Sequence, residues 1–309
     1  MHRRATPAAG RHPPRGGRIV IMAAMWTAGT VEQLRTERSA MKGSVAFVPT
    51  MGALHRGHLA LVHAARQAAD HIIVSIFVNP AQFAPDEDYE SYPRQIEADL
   101  AACREAAVDG VFCPPVEQVY PPSIPECTIN VPSMAHVLEG EIRPTHFAGV
   151  CRVVAKLLNM VRPDVAVFGQ KDYQQLKIIE AMVADLAMPV RIVGMPTCRE
   201  EDGLAMSSRN AYLDTPQRQH ARGLYKALLE AKRLVEEDGE TDPEAVETAM
   251  EQVMMAHHVE PQYAVIRHPH TLAELDCIEP ALTGGVVALI AGHLGETRLI
   301  DNMLLAEAG

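Results

Sequence analysis

The stretch SVAFVPTMGALHRGHLALVHAARQAADHIIVSIFVNP, residues 44–80, decides the fold. Its opening apolar run, VAFV, is typical of a buried strand. The segment GHLALVHAARQAAD follows, and Leu59, Val62 and Ala65 fall on one face of a helix there. The stretch ends in HIIVSIFV, an apolar and β-branched run of strand length. Strand, helix and strand in this order predict a βαβ unit, which belongs to a parallel sheet.

The same alternation continues along the chain. Helical patterns in QIEADLAACREAA, FAGVCRVVAKLLNMV and YQQLKIIEAMVADLA are separated by the strand-like runs VFCP, DVAVF and VRIVG. Right-handed crossovers between such strands give a sheet that is covered by helices on both faces. We therefore predict an α/β fold with a Rossmann-like, doubly wound parallel sheet, in which ligands bind at the carboxyl ends of the strands.

The character of the sequence changes after about residue 196. A polar loop, CREEDGLAMSSRNAYL, leads into two helical patterns, and QYAVIR, VVALIAGHL and TRLIDNML are typical of strands in a small antiparallel sheet. We predict a Rossmann-like domain over residues 22–196 and a smaller C-terminal α+β domain over residues 197–309. The smaller domain is expected to close over the larger one as a lid.

Composition argues against several classes of protein. A net charge of −11 disfavours broad binding to nucleic acid or to an anionic membrane, and no apolar run reaches the ~20 residues of a membrane helix. The six cysteines are scattered and form no C-x-x-C pair, which favours reduced thiols in a cytoplasmic protein. We expect a cytoplasmic protein without a nucleic-acid or membrane partner.

Residues 1–21 are assigned to neither of the two predicted domains. They are rich in Arg, Pro and Gly, contain no acidic residue, and lack the apolar region of a secretory signal. A disordered extension, or an upstream start codon ahead of Met22 or Met25, is the better interpretation. An Arg-rich transit peptide is the alternative.

Two histidines follow the first strand directly, where a helix begins. His55 and His58 lie three residues apart, and Gly57 allows close approach to the backbone. The free N–H groups and partial positive charge of a helix N-terminus suit phosphate, and imidazole N–H groups can stabilise charge that develops at phosphorus. The pattern favours a phosphate-binding site. The alternatives are a capping histidine with a chance neighbour, or a zinc site that lacks a third ligand at a recognisable spacing.

The polar loop contains a second candidate motif, MSSRN. The hydroxyls of Ser207 and Ser208 and the guanidinium of Arg209 suit the β- and γ-phosphates of a nucleotide. Taken alone, the motif is typical of an ordinary polar loop. Together with the histidine pair it predicts two elements that approach one triphosphate from opposite sides.

A third motif, GQKDYQQL, follows the strand DVAVF. Lys171 can neutralise phosphate, Asp172 can accept hydrogen bonds from ribose hydroxyls, and Gln175 lies one helical turn after Lys171. The alternative is a solvated helix N-terminus that Asp172 helps to cap.

Neutral amides mark a fourth motif, FVNPAQF, at the end of the second strand. Asn79 and Gln82 suit a substrate that carries hydroxyls and one carboxylate, although the motif alone would indicate a turn. Asp99 and His146 are weaker candidates, because an acidic residue early in a helix is usually solvated and a histidine at a helix start is often a cap.

Five motifs together resemble a known family. PTMGALHRGH, FVNPAQF, RPTHFAGV, GQKDYQQL and DGLAMSSRN, in this order and spacing, are closely similar to the pantothenate synthetase (pantoate–β-alanine ligase) family of the nucleotidylyltransferase superfamily. The likeness is dense from residue 45 to residue 213 and looser to about residue 302. Cys151 and Arg152 depart from it, since the family more often has a small or apolar residue followed by Thr.

The resemblance implies an activity and a set of site residues. The activity is the ATP-dependent condensation of pantoate with β-alanine to pantothenate through an enzyme-bound pantoyl adenylate, with release of AMP and pyrophosphate, with Mg²⁺, and usually in a homodimer. The implied catalytic residues are His55, His58, Lys171, Ser207, Ser208 and Arg209. The implied ATP contacts are Met51, His55, Gly57, His58, Gly169, Lys171, Asp172, Met206, Ser207, Ser208 and Arg209. The implied pantoate contacts are Pro49, Met51, Gln82, Val153, Val154 and Gln175. The implied contacts of β-alanine or the adenylate are Asn79 and Gln82, and Asp99 matches a position associated with Mg²⁺.

Three other activities stay open from the sequence. A nucleotidyltransferase would stop after joining a nucleotide to a phosphorylated substrate, but Gln82 and Gln175 are neutral where such a substrate would call for Arg or Lys. A tRNA-synthetase-like or other RNA-binding protein shares the H-x-G-H motif, and the acidic charge counts against it. A nucleotide sensor without turnover is disfavoured, because every expected catalytic position is filled.

Overall fold

A computed structural model of the chain describes residues 24–84, 87 and 89–306. The predictions for residues 1–21 lie outside this part of the chain. Two sheets organise the described residues, one parallel and one antiparallel.

The first sheet contains six strands within the described residues, all paired in parallel. They are β1 (Trp26–Ala28), β2 (Val45–Thr50), β3 (His71–Ile76), β4 (Gly110–Phe112), β5 (Val165–Gly169) and β6 (Arg191–Met195). Their order, β1-β4-β3-β2-β5-β6, confirms the predicted doubly wound, Rossmann-like sheet. Strand β1 is not predicted from the sequence, because three residues are too few to show a periodic pattern.

Helices cover both faces of this sheet. They are α1 (Val31–Ala40), α2 (Arg56–Ala68), α3 (Ile96–Glu105), α4 (Val116–Val119), α5 (Pro132–Ala135), α6 (Glu139–Ile142), α7 (His146–Val161) and α8 (Tyr173–Asp185), with 3₁₀ turns at Pro80–Gln82 and Gln170–Asp172. Successive residues of β2 point to opposite faces. Phe47 therefore packs in one buried cluster with α1, α7 and α8, and Val48 packs in another with Val62 of α2.

The winding of the sheet reverses between β2 and β5, which are neighbouring strands. The chain crosses from β2 through α2 to β3 on one side, and from β5 through α8 to β6 on the other. A crevice opens between two such connections at the carboxyl ends of the strands. PTMGALHRGH follows β2 and GQKDYQQL follows β5, so both motifs lie at this crevice.

The second sheet is antiparallel, in the order β7-β8-β9. Its strands are β7 (Glu260–Arg267), β8 (Val286–Leu294) and β9 (Thr297–Leu305); the helices nearby are α9 (Thr215–His220), α10 (Arg222–Lys232), α11 (Pro243–Ala256) and α12 (Pro280–Thr283), with a 3₁₀ turn at Ser208–Tyr212 and a π-helical segment at Arg233–Asp238. Leu224 of α10, Met250 of α11 and Ile290 of β8 are buried together in its core. The small antiparallel sheet and its helices confirm the predicted α+β arrangement. The division of the chain at residue 196 stays a prediction.

The smaller sheet packs directly on the first part of the chain. Leu289 of β8 belongs to the same buried cluster as Leu176 of α8. Arg298 of β9 forms a two-pronged ion pair with Glu139 of α6, with N–O distances of 2.5 and 2.8 Å. The hydroxyl of Tyr263 donates to the same carboxylate at 2.6 Å, so polar and apolar contacts both hold the two sheets together.

None of the helices within the described residues has the length and apolar character needed to cross a membrane.

Candidate active site

A cavity of about 290 Å³ opens at the crevice between β2 and β5. This volume is close to the ~300 Å³ lower end of small-molecule sites. Its lining includes all the residues assigned from the sequence to catalysis, to ATP, to pantoate and to β-alanine, and of the predicted site residues Asp99 alone lies outside it. The structure thus brings together motifs that are far apart in sequence, from Pro49 to Arg209.

The two histidines cap the helix that follows them. The Nδ1 atom of His55 accepts the backbone N–H of Gly57 at 3.1 Å, and the Nδ1 atom of His58 accepts the N–H of His55 at 3.4 Å. This is a capping box built from imidazoles. Because each Nδ1 is an acceptor, each neutral ring carries its proton on Nε2. Capping and phosphate binding are therefore compatible, since Nδ1 holds the helix start and Nε2–H stays available as a donor.

Both histidines are neutral at neutral pH. Burial, followed by the nearby Lys171 cation, lowers the pKa of His55. Burial, followed by the neighbouring His55, lowers the pKa of His58 to about 4. The two ring centroids lie 4.1 Å apart. The cavity wall therefore presents two adjacent N–H donors, which suit phosphate oxygens.

Gly57 is required by the packing of the His55 ring. A Cβ atom at residue 57 would lie 2.9 Å from Cε1 of His55 and 3.8 Å from Cβ of Cys198. The first distance is shorter than ordinary van der Waals contact, so a side chain here would displace the ring from its capping position.

Lys171 is held in place through its backbone by the smaller sheet. Its Nζ atom lies 3.7 Å from Oδ1 of Asp172. The carbonyl oxygens of Gln170 and Lys171 accept hydrogen bonds from Nδ2 of Asn302 in β9, at 2.9 and 2.8 Å. Asn302 is buried. Within the described structure Asp172 makes no side-chain cap at the start of α8, so its carboxylate is available to a ligand.

The MSSRN loop is anchored by the residue before Asn302. The buried carboxylate of Asp301 accepts two hydrogen bonds from Arg199, at 2.6 and 3.0 Å, and Arg199 also donates to the carbonyl of Gly203 at 3.0 Å. Within the loop, Oγ of Ser207 accepts the N–H of Arg209 at 3.2 Å. Adjacent residues of β9 therefore position both cationic segments of the cavity.

A second group of lining residues, called here the apolar half of the cavity, is apolar with two amides. Its apolar members are Pro49, Met51, Phe77, Val150, Val153, Val154, Leu157 and Phe168. Gln82 and Gln175 are half-buried in this lining. The adjacent Gln174 has a structural role instead, because its side chain accepts the N–H of Glu139 at 3.1 Å and donates to the carbonyl of Met134 at 2.7 Å. Amide donors in an apolar wall suit a small acid with hydroxyl groups.

Asp99 supports the histidine loop in this structure. It is 3% exposed, and its two carboxylate oxygens accept the backbone N–H groups of Ala53 and Leu54 at 3.0 and 2.7 Å. No cluster of three or more potential metal ligands occurs among the described residues. The residues present therefore do not fit a resident Mg²⁺ held by Asp99, because the group predicted as its ligand is buried and already used by the loop.

Arg152, which departs from the family pattern, lies outside the cavity lining. Its guanidinium pairs with Glu126 at 2.9 Å and lies 4.6 Å above the ring of Tyr120. Cys151 is fully buried in the core. The departure therefore leaves the wall formed by Val153 and Val154 intact.

Three lining residues, His146, Tyr92 and Cys198, have no role assigned from the sequence. The Nδ1 atom of His146 lies 2.9 Å from the carbonyl oxygen of Gln82, and Arg143 lies 3.3 Å from its Nε2. Burial and the Arg143 cation lower the pKa of His146 to about 4. The motif RPTHFAGV carries the signal for His146, whereas Tyr92 and Cys198 belong to no recognisable motif and join the lining only in the folded chain.

The fold and the cavity together define an α/β nucleotide-binding enzyme of the Rossmann-like class. The family model described as pantoate-beta-alanine ligase matches residues 26–304. The chain belongs to this family, and it is accordingly a ligase of pantothenate biosynthesis.

Individual relatives agree with this assignment. The chain is 47% identical over 281 residues to the pantothenate synthetase of Acidothermus cellulolyticus, a match that covers 91% of this chain and 92% of the relative. It is similar to the crystal structure of pantothenate synthetase from Thermus thermophilus, with a TM-score of 0.85, 44% identity, and coverage of 92% of this chain and 100% of that one. The pantoate-beta-alanine ligase of Francisella tularensis, solved as a complex with beta-gamma ATP and beta-alanine, has a TM-score of 0.75, 32% identity, and coverage of 93% and 99%.

Proposed function

We propose that the chain condenses pantoate with β-alanine in two steps at this one cavity, through a pantoyl adenylate that stays bound, and releases pyrophosphate and AMP. The observation that carries the proposal is the mixed lining of one cavity. It combines the histidine donors, Lys171 and the MSSRN loop with an apolar group of residues that includes Gln82 and Gln175. A triphosphate and a small hydroxy acid can thus be bound in the same cavity.

In the first step, a carboxylate oxygen of pantoate attacks the α-phosphorus of ATP. A P–O bond forms between the acid and AMP, and the bond to pyrophosphate breaks. The Nε2–H groups of His55 and His58 donate to phosphate oxygens, and the cations of Lys171 and Arg209 balance the charge on the departing pyrophosphate. The two histidines act as neutral donors, because burial lowers the pKa of each.

In the second step, the amine nitrogen of β-alanine attacks the acyl carbon of the mixed anhydride. A C–N bond forms, the C–O bond to AMP breaks, and the nitrogen releases one proton to water to give the amide. No protein nucleophile takes part, so catalysis rests on positioning and electrostatics. Holding two reactants together can supply ~7–11 kcal/mol of the reduction in barrier.

Support for the two named co-substrates comes from the relative. The Francisella tularensis ligase is described as a complex with an ATP analogue and β-alanine, and we extend both ligands to this chain. We propose that Mg²⁺ enters bound to the ATP phosphates, which is usual for this ion, since Asp99 is used by the loop. A homodimer is proposed on the family resemblance alone, and a cytoplasmic location on the six scattered cysteines.

Pyrophosphate release tests the proposal. The purified chain is incubated with ATP and Mg²⁺, first alone, then with pantoate, and then with β-alanine added. Pyrophosphate that depends on pantoate, with AMP and pantothenate formed only after β-alanine is added, is the expected result. A product that keeps the adenylyl group after β-alanine is added would indicate a nucleotidyltransferase instead, and no dependence on pantoate would overturn the substrate assignment.

A further inference from the structure

Gln82 is the polar side chain of the apolar half whose orientation the fold controls most closely. Its backbone carbonyl lies 2.9 Å from Nδ1 of His146 and 3.3 Å from Nη2 of Arg143. Its side-chain Oε1 accepts a hydrogen bond from Nδ2 of Asn79 at 3.0 Å, and its Nε2 lies 3.2 Å from the sulfur of Met51. The oxygen of this amide is therefore directed toward Asn79, and its nitrogen is the end that lies beside Met51.

Asn79 has no hydrogen-bonding capacity left for a ligand. It is 1% exposed. Its Oδ1 accepts from the hydroxyl of Tyr120 at 2.7 Å and from the N–H of Ala81 at 3.2 Å. Its Nδ2 donates to Oε1 of Gln82 and, at 3.3 Å, to the carbonyl of Gly149. An amide has two acceptor and two donor positions, and all four are used.

Two backbone contacts determine the positions of the oxygen and the nitrogen of the Asn79 amide. The N–H of Ala81 can only donate and the carbonyl of Gly149 can only accept, so a flipped amide would set donor against donor and acceptor against acceptor. The contact between Asn79 and the carbonyl of Gly149 requires α7 to pack closely on the turn Pro80–Gln82, which the missing side chain of Gly149 permits. A Cβ at residue 149 would lie 2.0 Å from the carbonyl oxygen of Ala81.

Tyr120 completes the arrangement from outside the cavity. Burial raises the pKa of its hydroxyl to about 12, so it keeps its proton throughout the working range. Arg152 lies 4.6 Å above its ring and pairs with Glu126, which holds the ring beneath a cation. The hydroxyl is thereby directed at Oδ1 of Asn79.

We propose that Tyr120 and Asn79 are positioning residues for Gln82, which they hold with its NH₂ group toward the acid-binding half of the cavity. The consequence is a site that offers a donor where the acid is bound. Such a donor favours a carboxylate or hydroxyl oxygen over an ammonium group at the same place. The inference rests on the proposed function, in which pantoate occupies this half, and it gives Asn79 a different role from the contact with β-alanine that the family resemblance implies.

The two roles of Asn79 predict effects on different half-reactions. Asn79→Asp keeps the shape of the side chain but replaces the donor to Gln82 by an oxygen, so the Gln82 amide turns and presents Oε1 to the acid. We expect the KM for pantoate in pyrophosphate release without β-alanine to rise about tenfold or more, since a charge-assisted contact becomes repulsive. The KM for ATP is expected to change little. A variant that alters only the KM for β-alanine would overturn the inference.

Tyr120→Phe is the second test, and it removes one oxygen while keeping the ring under Arg152. We expect a smaller rise in the KM for pantoate, about threefold to tenfold for one hydrogen bond. Tyr173→Phe is the matched control, because the hydroxyl of Tyr173 donates to the carbonyl of Pro269 at 2.8 Å in a buried site and Tyr173 is not among the lining residues of the cavity. The control is expected to lose stability without a change in the KM for pantoate.

A double-mutant cycle identifies Gln82 as the intermediary. In a Gln82→Ala background, Asn79→Asp and Tyr120→Phe should have almost no further effect on the KM for pantoate, because the group they orient is gone. Additive effects would show that Tyr120 and Asn79 do not act through Gln82. Wild-type protein that fails to release pyrophosphate with pantoate would refute the proposed function itself, whereas normal wild-type activity with unaffected variants would refute only the positioning role.

Discussion

The carboxylate of Asp99 accepts the backbone N–H of Leu54 at 2.7 Å, one residue before His55. The other carboxylate oxygen accepts the N–H of Ala53 at 3.0 Å. A residue of α3 therefore fixes the loop that presents His55, although it does not line the cavity itself. Asp99 thus supports the histidine loop in this structure, whereas the family resemblance implies that it binds a metal.

Asp99→Asn distinguishes these two roles. The amide nitrogen would face a backbone N–H, so we expect a loss of about 1–3 kcal/mol in the free energy of unfolding and slower pantoate-dependent pyrophosphate release. The Mg²⁺ concentration for half-maximal rate should stay unchanged. Glu97→Gln, an exposed carboxylate in the same helix, is the control. A severalfold rise in the Mg²⁺ requirement of Asp99→Asn at normal stability would restore the metal role.

The buried histidines predict acid sensitivity. Burial lowers the pKa of His58 and of His146 to about 4 each, against about 6.5 in the unfolded chain. Above pH 6.5 neither state binds the protons, and between pH 6.5 and pH 4 only the unfolded state does. Stability is therefore lost as the pH falls through this window, by up to about 3 kcal/mol for each histidine.

Urea unfolding at pH 7 and pH 5 measures this loss. In His146→Gln the difference between the two pH values should shrink by about 2 kcal/mol. His63→Gln, at an exposed position in α2, should leave the difference as it is in the wild type. An equal pH dependence in wild type and His146→Gln would contradict the assignment.

Asn302→Ala should weaken ATP binding from a distance. The variant loses both hydrogen bonds to the carbonyls of Gln170 and Lys171, so the backbone that carries the Lys171 cation is free to shift. We expect the KM for ATP to rise about tenfold, in line with the loss of one to two hydrogen bonds, with the KM for pantoate nearly constant. Asn159→Ala removes a side-chain hydrogen bond within α7, at 2.8 Å, and should change neither. Equal rises in both KM values would indicate general loosening of the site.

His55→Ala and Lys171→Ala test the catalytic assignment directly. Each should lower pantoate-dependent pyrophosphate release by about 10²–10³-fold, the usual cost of removing a group that stabilises transition-state charge. Circular dichroism and the unfolding midpoint report whether the fold is retained. Near-normal rates in both variants would remove these residues from the site.

The sequence predicts those parts of the protein that depend on local pattern. Runs such as HIIVSI identify strands, and in a doubly wound sheet ligands bind at the carboxyl ends of the strands. His55 and Lys171 could be assigned on this basis. β1 could not be predicted, because its three residues are ordered by pairing with β4 and not by their own periodicity.

Residues that act through tertiary contacts carry no such signal. Gln174 and Gln175 are adjacent and chemically identical, and only the folded helix turns one inward to Met134 and the other to the cavity. Tyr120 is 41 residues from Asn79 in sequence. The role of Asp99 likewise depends on which backbone amides lie opposite its carboxylate, and sequence alone cannot give that information.

The bond between Asn302 and Lys171 joins residues 131 positions apart. As the chain is synthesised, the first sheet, the histidine pair and the MSSRN loop leave the ribosome before β9 exists. A nascent chain that ends before β9 contains each side chain assigned to ATP. It lacks Asn302, which holds the backbone of Lys171, and Asp301, which pairs with Arg199. We therefore expect full affinity for nucleotide only once Asp301 and Asn302 have been added, and weaker ATP binding in a chain that ends before residue 301.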